Sequence, residues 1–178
     1  MVPGTADSVL DEDPLRERTV VVGACGANRA YDTATSRPVA VLLRPDKTPS
    51  GIEVRSHLRR LVRRIRRHWP QTQITIRGDG HYGRPEVMEW CDVNGVDFVF
   101  GLPGNAVLDR AVDEIADDIR THRALDKMPC LRGFAETTYR AKTRNTARRA
   151  VARIEATTKG LDIRFVVTSF ETGSAEHI

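Results

Sequence analysis

The chain has few cysteines, and their spacing supports neither a disulfide framework nor a metal site. Cys25, Cys91 and Cys130 are the 3 cysteines among 178 residues, and no two of them have C-x-x-C spacing. No histidine stands at zinc-ligand spacing from them either. We therefore expect reduced thiols in the core or at the surface.

The sequence also lacks an apolar run of the roughly 18 residues that a membrane span requires. Its N-terminal segment carries acids, among them Asp7 and Glu17, where a signal peptide has basic and then apolar residues. We expect a cytoplasmic protein with no membrane partner.

Apolar content is sufficient for one globular domain, and positive charge is unevenly distributed. Hydrophobic residues make up 40% of the chain, enough for a core at this length. The 28 Lys and Arg against 24 Asp and Glu give a formal charge of +4, and the excess is mostly arginine within short stretches. This asymmetry predicts an anionic partner.

Strand and helix patterns alternate through the middle of the chain. Strands are predicted at 73–77 and 96–100, a hairpin over 31–43, and helices over 54–69, 85–93 and 106–125. Such alternation favours an α/β fold with parallel strands joined by helical crossovers. We expect the last helix to carry one apolar face, formed by Val107, Leu108, Ala111, Ile115 and Ile119.

The two ends of the chain depart from this alternation. Residues 131–139 and 150–155 read as strands of a β-rich insertion, and residues 163–169 as a final strand that returns to the main sheet. Residues 20–26 are an apolar run ending in small residues, which could be a strand and a turn. A nucleotide loop is the weaker alternative, because Gly23 and Gly26 match neither G-x-G-x-x-G nor a P-loop.

Asp79 stands at the C-terminal end of a predicted strand, between Gly78 and Gly80. Enzymes that transfer phosphoryl groups with two metal ions place carboxylates at such strand ends, because Mg²⁺ prefers hard oxygen ligands. Asp-Gly is also a common turn dipeptide, so Asp79 could serve only the backbone. His81 and Tyr82 beside it could contact phosphate or be exposed turn side chains.

Two stretches concentrate the arginines. The outer face of the 54–69 helix is either a DNA-backbone surface or a solvated face, and it carries Arg59, Arg60, Arg63, Arg64, Arg66 and Arg67. The second basic cluster lies in the insertion, has the same two interpretations, and comprises Arg140, Lys142, Arg144, Arg148, Arg149 and Arg153.

Residues 77–91, RGDGHYGRPEVMEWC, and 94–105, NGVDFVFGLPGN, resemble the transposase DDE domain of group 1, found in bacterial insertion sequences. Residues 37–51 and 164–169 extend the resemblance, which covers about 31–174. It implies a ribonuclease-H-like core with a β-rich insertion, acting on transposon-end and target DNA by hydrolysis and strand transfer with Mg²⁺ or Mn²⁺. It also maps the second catalytic, metal-binding Asp of the family onto Asp79.

The sequence departs from the family at the other two ligands. Residues 1–30 lack the Asp-x-Asp-like context of the first catalytic Asp, and Asp32 is a poor substitute. Glu171 and Glu176 come too early for the catalytic Glu, which lies on a helix after the final strand. Two of three carboxylates are thus expected to be absent, together with the first core strand, the covering helix and the region that recognises DNA ends. Exposed apolar surface, with poor solubility or dependence on a partner, should result.

We therefore predict a transposase fragment that is inactive alone. The alternatives are a non-catalytic basic DNA-binding module that interferes with an intact transposase subunit, and a remnant without function. The predicted segments are an N-terminal segment, 1–30; a partial core, 31–126; the insertion, 127–162; and a final strand and tail, 163–178. The predicted DNA contacts are Arg63, Arg67, Arg77, His81, Tyr82 and Arg84.

Overall fold

The computed structural model describes residues 18–23, 27–32, 38–43, 48–140 and 146–178. Its strands are β1 (Arg18–Gly23), β2 (Ala27–Asp32), β3 (Pro38–Leu43), β4 (Ile74–Gly78), β5 (Asp97–Leu102), β6 (Cys130–Tyr139), β7 (Arg148–Thr157) and β8 (Gly160–Thr168). Within these residues they form one sheet of 8 strands in the order β3-β2-β1-β4-β5-β8-β7-β6. The helices are α1 (Gly51–His68), α2 (Pro85–Val93) and α3 (Ala106–Leu125), followed by a short 3₁₀ turn at Ala175–His177.

The centre of the sheet is parallel and its flanks are antiparallel. β4 pairs in parallel with β1 on one side and β5 on the other. β2 and β3 extend the sheet beyond β1, and β8, β7 and β6 extend it beyond β5, all in antiparallel pairs. The predicted α/β class is confirmed, and the mixed sheet is compatible with a partial ribonuclease-H-like core.

We expected the first core strand to be absent, and the structure corrects this expectation because β1 pairs with β2 and β4. β1 lies between β2 and β4, with Val20 beside Ile76 and Val22 beside Gly78. Consecutive valines favour a strand, and the edge of β4 offers free backbone groups to pair with. An apolar run without resemblance to the family therefore occupies the place next to β4.

Helix α1 begins with a capping box. The Ser50 side chain accepts a hydrogen bond from the Glu53 amide, and the Glu53 carboxylate accepts one from the Ser50 amide at 2.7 Å. Its inner face buries Val54, Leu58, Leu61, Val62 and Ile65. At its other end the Arg66 guanidinium donates to the carbonyl oxygens of Asn94 at 2.8 Å and Gly95 at 3.0 Å. These bonds tie the end of α1 to the turn after α2.

Helix α3 packs on the sheet through a stripe that agrees only in part with the predicted one, since Leu108 and Ile119 face the core as predicted but Val107 and Ile115 do not. Leu108, Val112 and Ala116 are buried, whereas Val107 is 67% exposed and Ile115 39% exposed. Both stripes have i, i+4 spacing, so apolar periodicity could not decide which of them faces the sheet. The N-cap Asn105 accepts hydrogen bonds from the amides of Val107 and Leu108 and fixes the start of the helix.

The last three strands confirm the prediction that the chain returns to the main sheet. β8 pairs with β5, which places Val167 opposite Phe100 and Phe165 opposite Leu102. The segment predicted to be β-rich forms β6 and β7. The proposed boundaries of the four segments remain a prediction.

An ion pair joins β7 to α2 beside a buried cysteine. The Arg148 side chain is only 10% exposed, donates to the carboxylate of Asp92, and lies 5.3 Å from the ring centroid of Phe98. Burial raises the pKa of Cys91 to about 12, and the carboxylate of Asp92 adds to the rise. Its thiol is therefore neutral at physiological pH, while the Cys130 thiol is free and exposed.

In the part of the chain that the structure describes, no helix combines the length and apolarity needed to cross a membrane.

Candidate nucleic-acid and metal site

Asp79 directly follows the last residue of β4, at the edge of the sheet where the parallel strands β4 and β5 end. The strand leading to it is anchored by Ile74 and Ile76, both fully buried. The amide of Tyr82 donates to the Asp79 carbonyl oxygen at 3.0 Å, which closes a turn immediately after the strand. The fold therefore presents an exposed carboxylate on a well-anchored strand end, as predicted from the sequence.

Glycines allow this turn to lie directly against the end of β5. A Cβ atom on Gly101 would stand 2.8 Å from the Gly80 nitrogen and 3.1 Å from the Asp79 carbonyl carbon. One on Gly83 would stand 2.7 Å from the Gly101 oxygen. All of these neighbours are backbone atoms, so no side-chain rearrangement can relieve the contact. The sequence interpretation missed this role of Gly101, although a glycine within a strand is itself a signal of close backbone approach.

Tyr82 is a core residue, which corrects its prediction as a DNA contact. It is 1% exposed, and its ring centroid lies 6.0 Å from that of Phe100. A Cβ on Gly78 would lie 2.9 Å from the Tyr82 ring, so the ring packs against the backbone at the end of β4. A side chain buried beneath the turn supports Asp79 from inside the protein and is not available to phosphate.

The two oxygens of the Asp79 carboxylate have different surroundings. Oδ1 accepts a hydrogen bond from the His81 amide at 3.0 Å, which is the turn role that the Asp-Gly dipeptide predicted. Oδ2 has no hydrogen-bond partner among the described residues, and the side chain is exposed. The turn therefore orients the carboxylate and leaves one oxygen available to an external ligand.

The residues around Asp79 do not by themselves fit a pair of metal ions. Such a centre requires several converging carboxylates, and the register places Val22 of β1 beside Gly78, with Gly23 next in the strand. Across the described ranges, no three His, Cys, Asp or Glu side chains are grouped closely enough to hold a metal ion. Among the described residues, this edge of the sheet therefore offers the Asp79 carboxylate without the further converging ligands that two metal ions need.

The predicted DNA contacts fall into two groups. His81 is exposed beside Asp79, and Arg84 is half-buried and donates to the His81 carbonyl oxygen at 3.2 Å. Arg77, two residues before Asp79, is exposed and donates to the backbone oxygen of Ile178. These residues share the sheet edge with Asp79.

Arg63 and Arg67 lie away from that edge. The start of α1 at Gly51 adjoins Glu86 in the first turn of α2, close to the Asp79 turn, and α1 then runs toward the opposite edge. Because an α-helix rises about 1.5 Å per residue, Arg67 lies about 24 Å from Gly51 along the axis of α1. The structure therefore does not bring the two predicted groups together.

Three arginines of the basic cluster in the insertion, Arg148, Arg149 and Arg153, form ion pairs. Arg149 donates to Glu136 at 2.6 Å and 3.0 Å, and Arg153 lies 3.6 Å from Asp162. The hydrogen bonds from Arg149 hold the pKa of Glu136 below its usual value. Together with the Arg148 pair, these contacts give the three arginines of β7 a structural role, whereas Arg140 is exposed. Lys142 and Arg144 lie outside the described residues.

Comparison with known proteins gives one family. The family model described as transposase DDE domain group 1 matches residues 29–178, which include every element from β3 onward. No curated protein matches the chain. The match covers most of the sequence, including the Asp79 turn and the sheet that carries it, and the chain therefore belongs to the transposase DDE domain group 1 family.

Proposed function

We propose that this chain supplies one metal-binding carboxylate, Asp79, to a centre that cleaves DNA and transfers strands in transposition, and that the chain does not cut DNA alone. The observation that carries the proposal is a single oriented carboxylate with one free oxygen at the end of β4. Family membership supports a transposase-related role. The substrates would be transposon ends and target DNA, which also makes a cytoplasmic location the natural proposal.

The proposed cofactor is Mg²⁺ or Mn²⁺, with Asp79 as the only ligand that we assign in this chain. Hard carboxylate oxygens suit these ions, but one carboxylate leaves most of their coordination positions to water. The other carboxylates of an active centre would have to come from elsewhere, for example from intact transposase subunits. The chain's own contribution is the fixed position of the Asp79 carboxylate, held by the Gly101 contact and the buried Tyr82 ring.

A nicking assay on supercoiled plasmid tests this proposal. We expect the purified chain to leave the plasmid supercoiled in either Mg²⁺ or Mn²⁺, and the Asp79→Ala variant to behave identically. Nicking by the chain that is lost in Asp79→Ala would show that a complete centre is present and would overturn the proposal. Nicking that persists in Asp79→Ala would indicate a contaminating nuclease, so the variant also serves as the control.

The second candidate function is a non-catalytic DNA-binding module that interferes with an intact transposase. The observation in its favour is the set of exposed arginines on α1, which lie away from Asp79. Retention on DNA that falls with salt but is unchanged by Asp79→Ala would favour this function over the first.

A further inference from the structure

The exposed arginines of α1 have no acidic partners among the described residues, unlike the arginines of β6, β7 and β8. On β6, β7 and β8, the arginines pair with carboxylates, in Arg132–Glu155, Arg148–Asp92, Arg149–Glu136, Arg153–Asp162 and Arg164–Asp162. On α1 we define an arginine ridge as Arg59, Arg60, Arg63, Arg64 and Arg67, all of them exposed. No member of the ridge forms an ion pair with a carboxylate of the described residues.

The ridge consists of two rows of like charge along the helix. Arg59, Arg63 and Arg67 form one row at i, i+4 spacing, and Arg60 and Arg64 begin a second row that continues to His68. Like charges at this spacing destabilise a helix. Only the last turn of α1 gains from the helix dipole, so the dipole does not account for Arg59, Arg60 or Arg63. An external anion would relieve the repulsion along the whole ridge.

Two shallow surface grooves follow the ridge and share two of its members. Arg63 and Arg67 line both grooves, and thus stand between them. The first groove is otherwise lined by Arg60, Arg64 and His68, and the second by Arg59, Val62, Arg66, Trp90 and Asn94. Neither groove is lined by a carboxylate, so the surface offers hydrogen-bond donors and positive charge over its full length.

We propose that the arginine ridge binds the phosphate backbone of double-stranded DNA at a surface separate from the Asp79 edge. From Arg59 to Arg67 the ridge extends about 12 Å along the helix axis, which is long enough to face more than one phosphate of a DNA strand. A contact made through phosphates is independent of sequence. This inference rests on the second candidate function and deepens it by specifying duplex DNA as the ligand and its phosphates as the groups contacted, and it does not depend on the role of Asp79.

Double-stranded DNA fits the ridge better than single-stranded DNA because the ridge lacks aromatic residues. Proteins that bind single strands combine positive charge with aromatic platforms on which bases stack. The ridge itself has no aromatic residue, and Trp90 in the neighbouring groove is half-buried. A row of exposed guanidinium groups without stacking partners suits the regular backbone of a duplex.

The test is the affinity of the full chain for a fluorescent DNA duplex, measured by anisotropy in buffer without divalent metal at several salt concentrations. Arg63→Gln and Arg67→Gln are each expected to weaken binding about tenfold at 0.1 M salt and to lower the slope of log K against log salt by about 0.9. The matched control is Arg120→Gln on α3, a helix arginine that is 60% exposed and makes the same change in charge. It should change the affinity less than about twofold.

Three outcomes would overturn the inference: equal weakening by Arg120→Gln, no change in slope with Arg63→Gln and Arg67→Gln, or tighter binding to a single strand than to the duplex. A loss of binding confined to Asp79→Asn and His81→Ala would place the DNA at the Asp79 edge. That result would refute the ridge and leave the proposal for Asp79 standing. Thermal melting of each variant checks its fold, and Arg59→Gln with Arg64→Gln provides an independent pair of substitutions.

Discussion

Replacing Gly101 with alanine is expected to lower the free energy of unfolding by about 2 to 3 kcal/mol. The added Cβ would stand 2.8 Å from the Gly80 nitrogen and 3.1 Å from the Asp79 carbonyl carbon. Backbone atoms on both sides of the contact cannot rotate away, so either β5 or the Asp79 turn must move. Urea unfolding followed by circular dichroism measures the loss.

Gly104→Ala is the matched control for Gly101→Ala. Its added Cβ would approach the Asp109 side chain at 3.6 Å, which is an ordinary van der Waals contact. We expect Gly104→Ala to change the free energy of unfolding by less than about 0.5 kcal/mol. Equal losses in the two variants would contradict the close packing of the Asp79 turn on β5.

Replacing Tyr82 with alanine is expected to have the largest effect on stability, about 3 to 5 kcal/mol. Tyr82 is among the largest fully buried side chains, and its ring packs beside Phe100 and against Gly78. Removing it leaves a cavity directly beneath the Asp79 turn. His81→Ala, at the exposed neighbouring position, should stay within about 0.5 kcal/mol of the unmodified chain.

The variants His81→Ala and Tyr82→Ala together show whether Tyr82 packs in the core or contacts DNA. A packing role predicts that Tyr82→Ala shifts the midpoint of urea unfolding strongly, while His81→Ala leaves it in place. If Tyr82→Ala kept its stability and instead lost DNA affinity, Tyr82 would have to be accessible, which contradicts its burial in the structure.

The sequence was most informative where a local pattern determines the structure. The apolar spacing of α1, the start of α2 at Pro85, and the strand that ends before Asp79 were all predictable. Each of these features depends on residues within one or two turns of each other. The position of Asp79 at a strand end followed from the same kind of local signal.

Features that depend on distant partners were not predictable from the sequence. Arg148 pairs with Asp92, 56 positions earlier, and no local pattern distinguishes a paired arginine from one that awaits DNA. For the same reason the turn motif could not show that Tyr82 packs beside Phe100. The apolar stripes of α3 were ambiguous because the sheet, which decides between them, lies outside the helix.

The strand β1 illustrates a related limit. Family resemblance weakens toward the N-terminus, yet the family model reaches residue 29 and the backbone pairing continues to Arg18. Strand pairing uses backbone groups and tolerates many side chains. A sequence that departs from the family can therefore complete the sheet without supplying a carboxylate beside Asp79.

Titration of the chain with Mn²⁺, followed by the paramagnetic resonance signal of the free ion, tests the central claim most directly. A single carboxylate with one free oxygen predicts binding in the millimolar range or weaker, and still weaker binding by Asp79→Asn. The fold of each sample is checked by thermal melting, so a loss of binding can be assigned to the site. A saturable site in the micromolar range that Asp79→Asn abolishes, or two ions bound per chain, would mean that further ligands converge on Asp79 and would contradict the account.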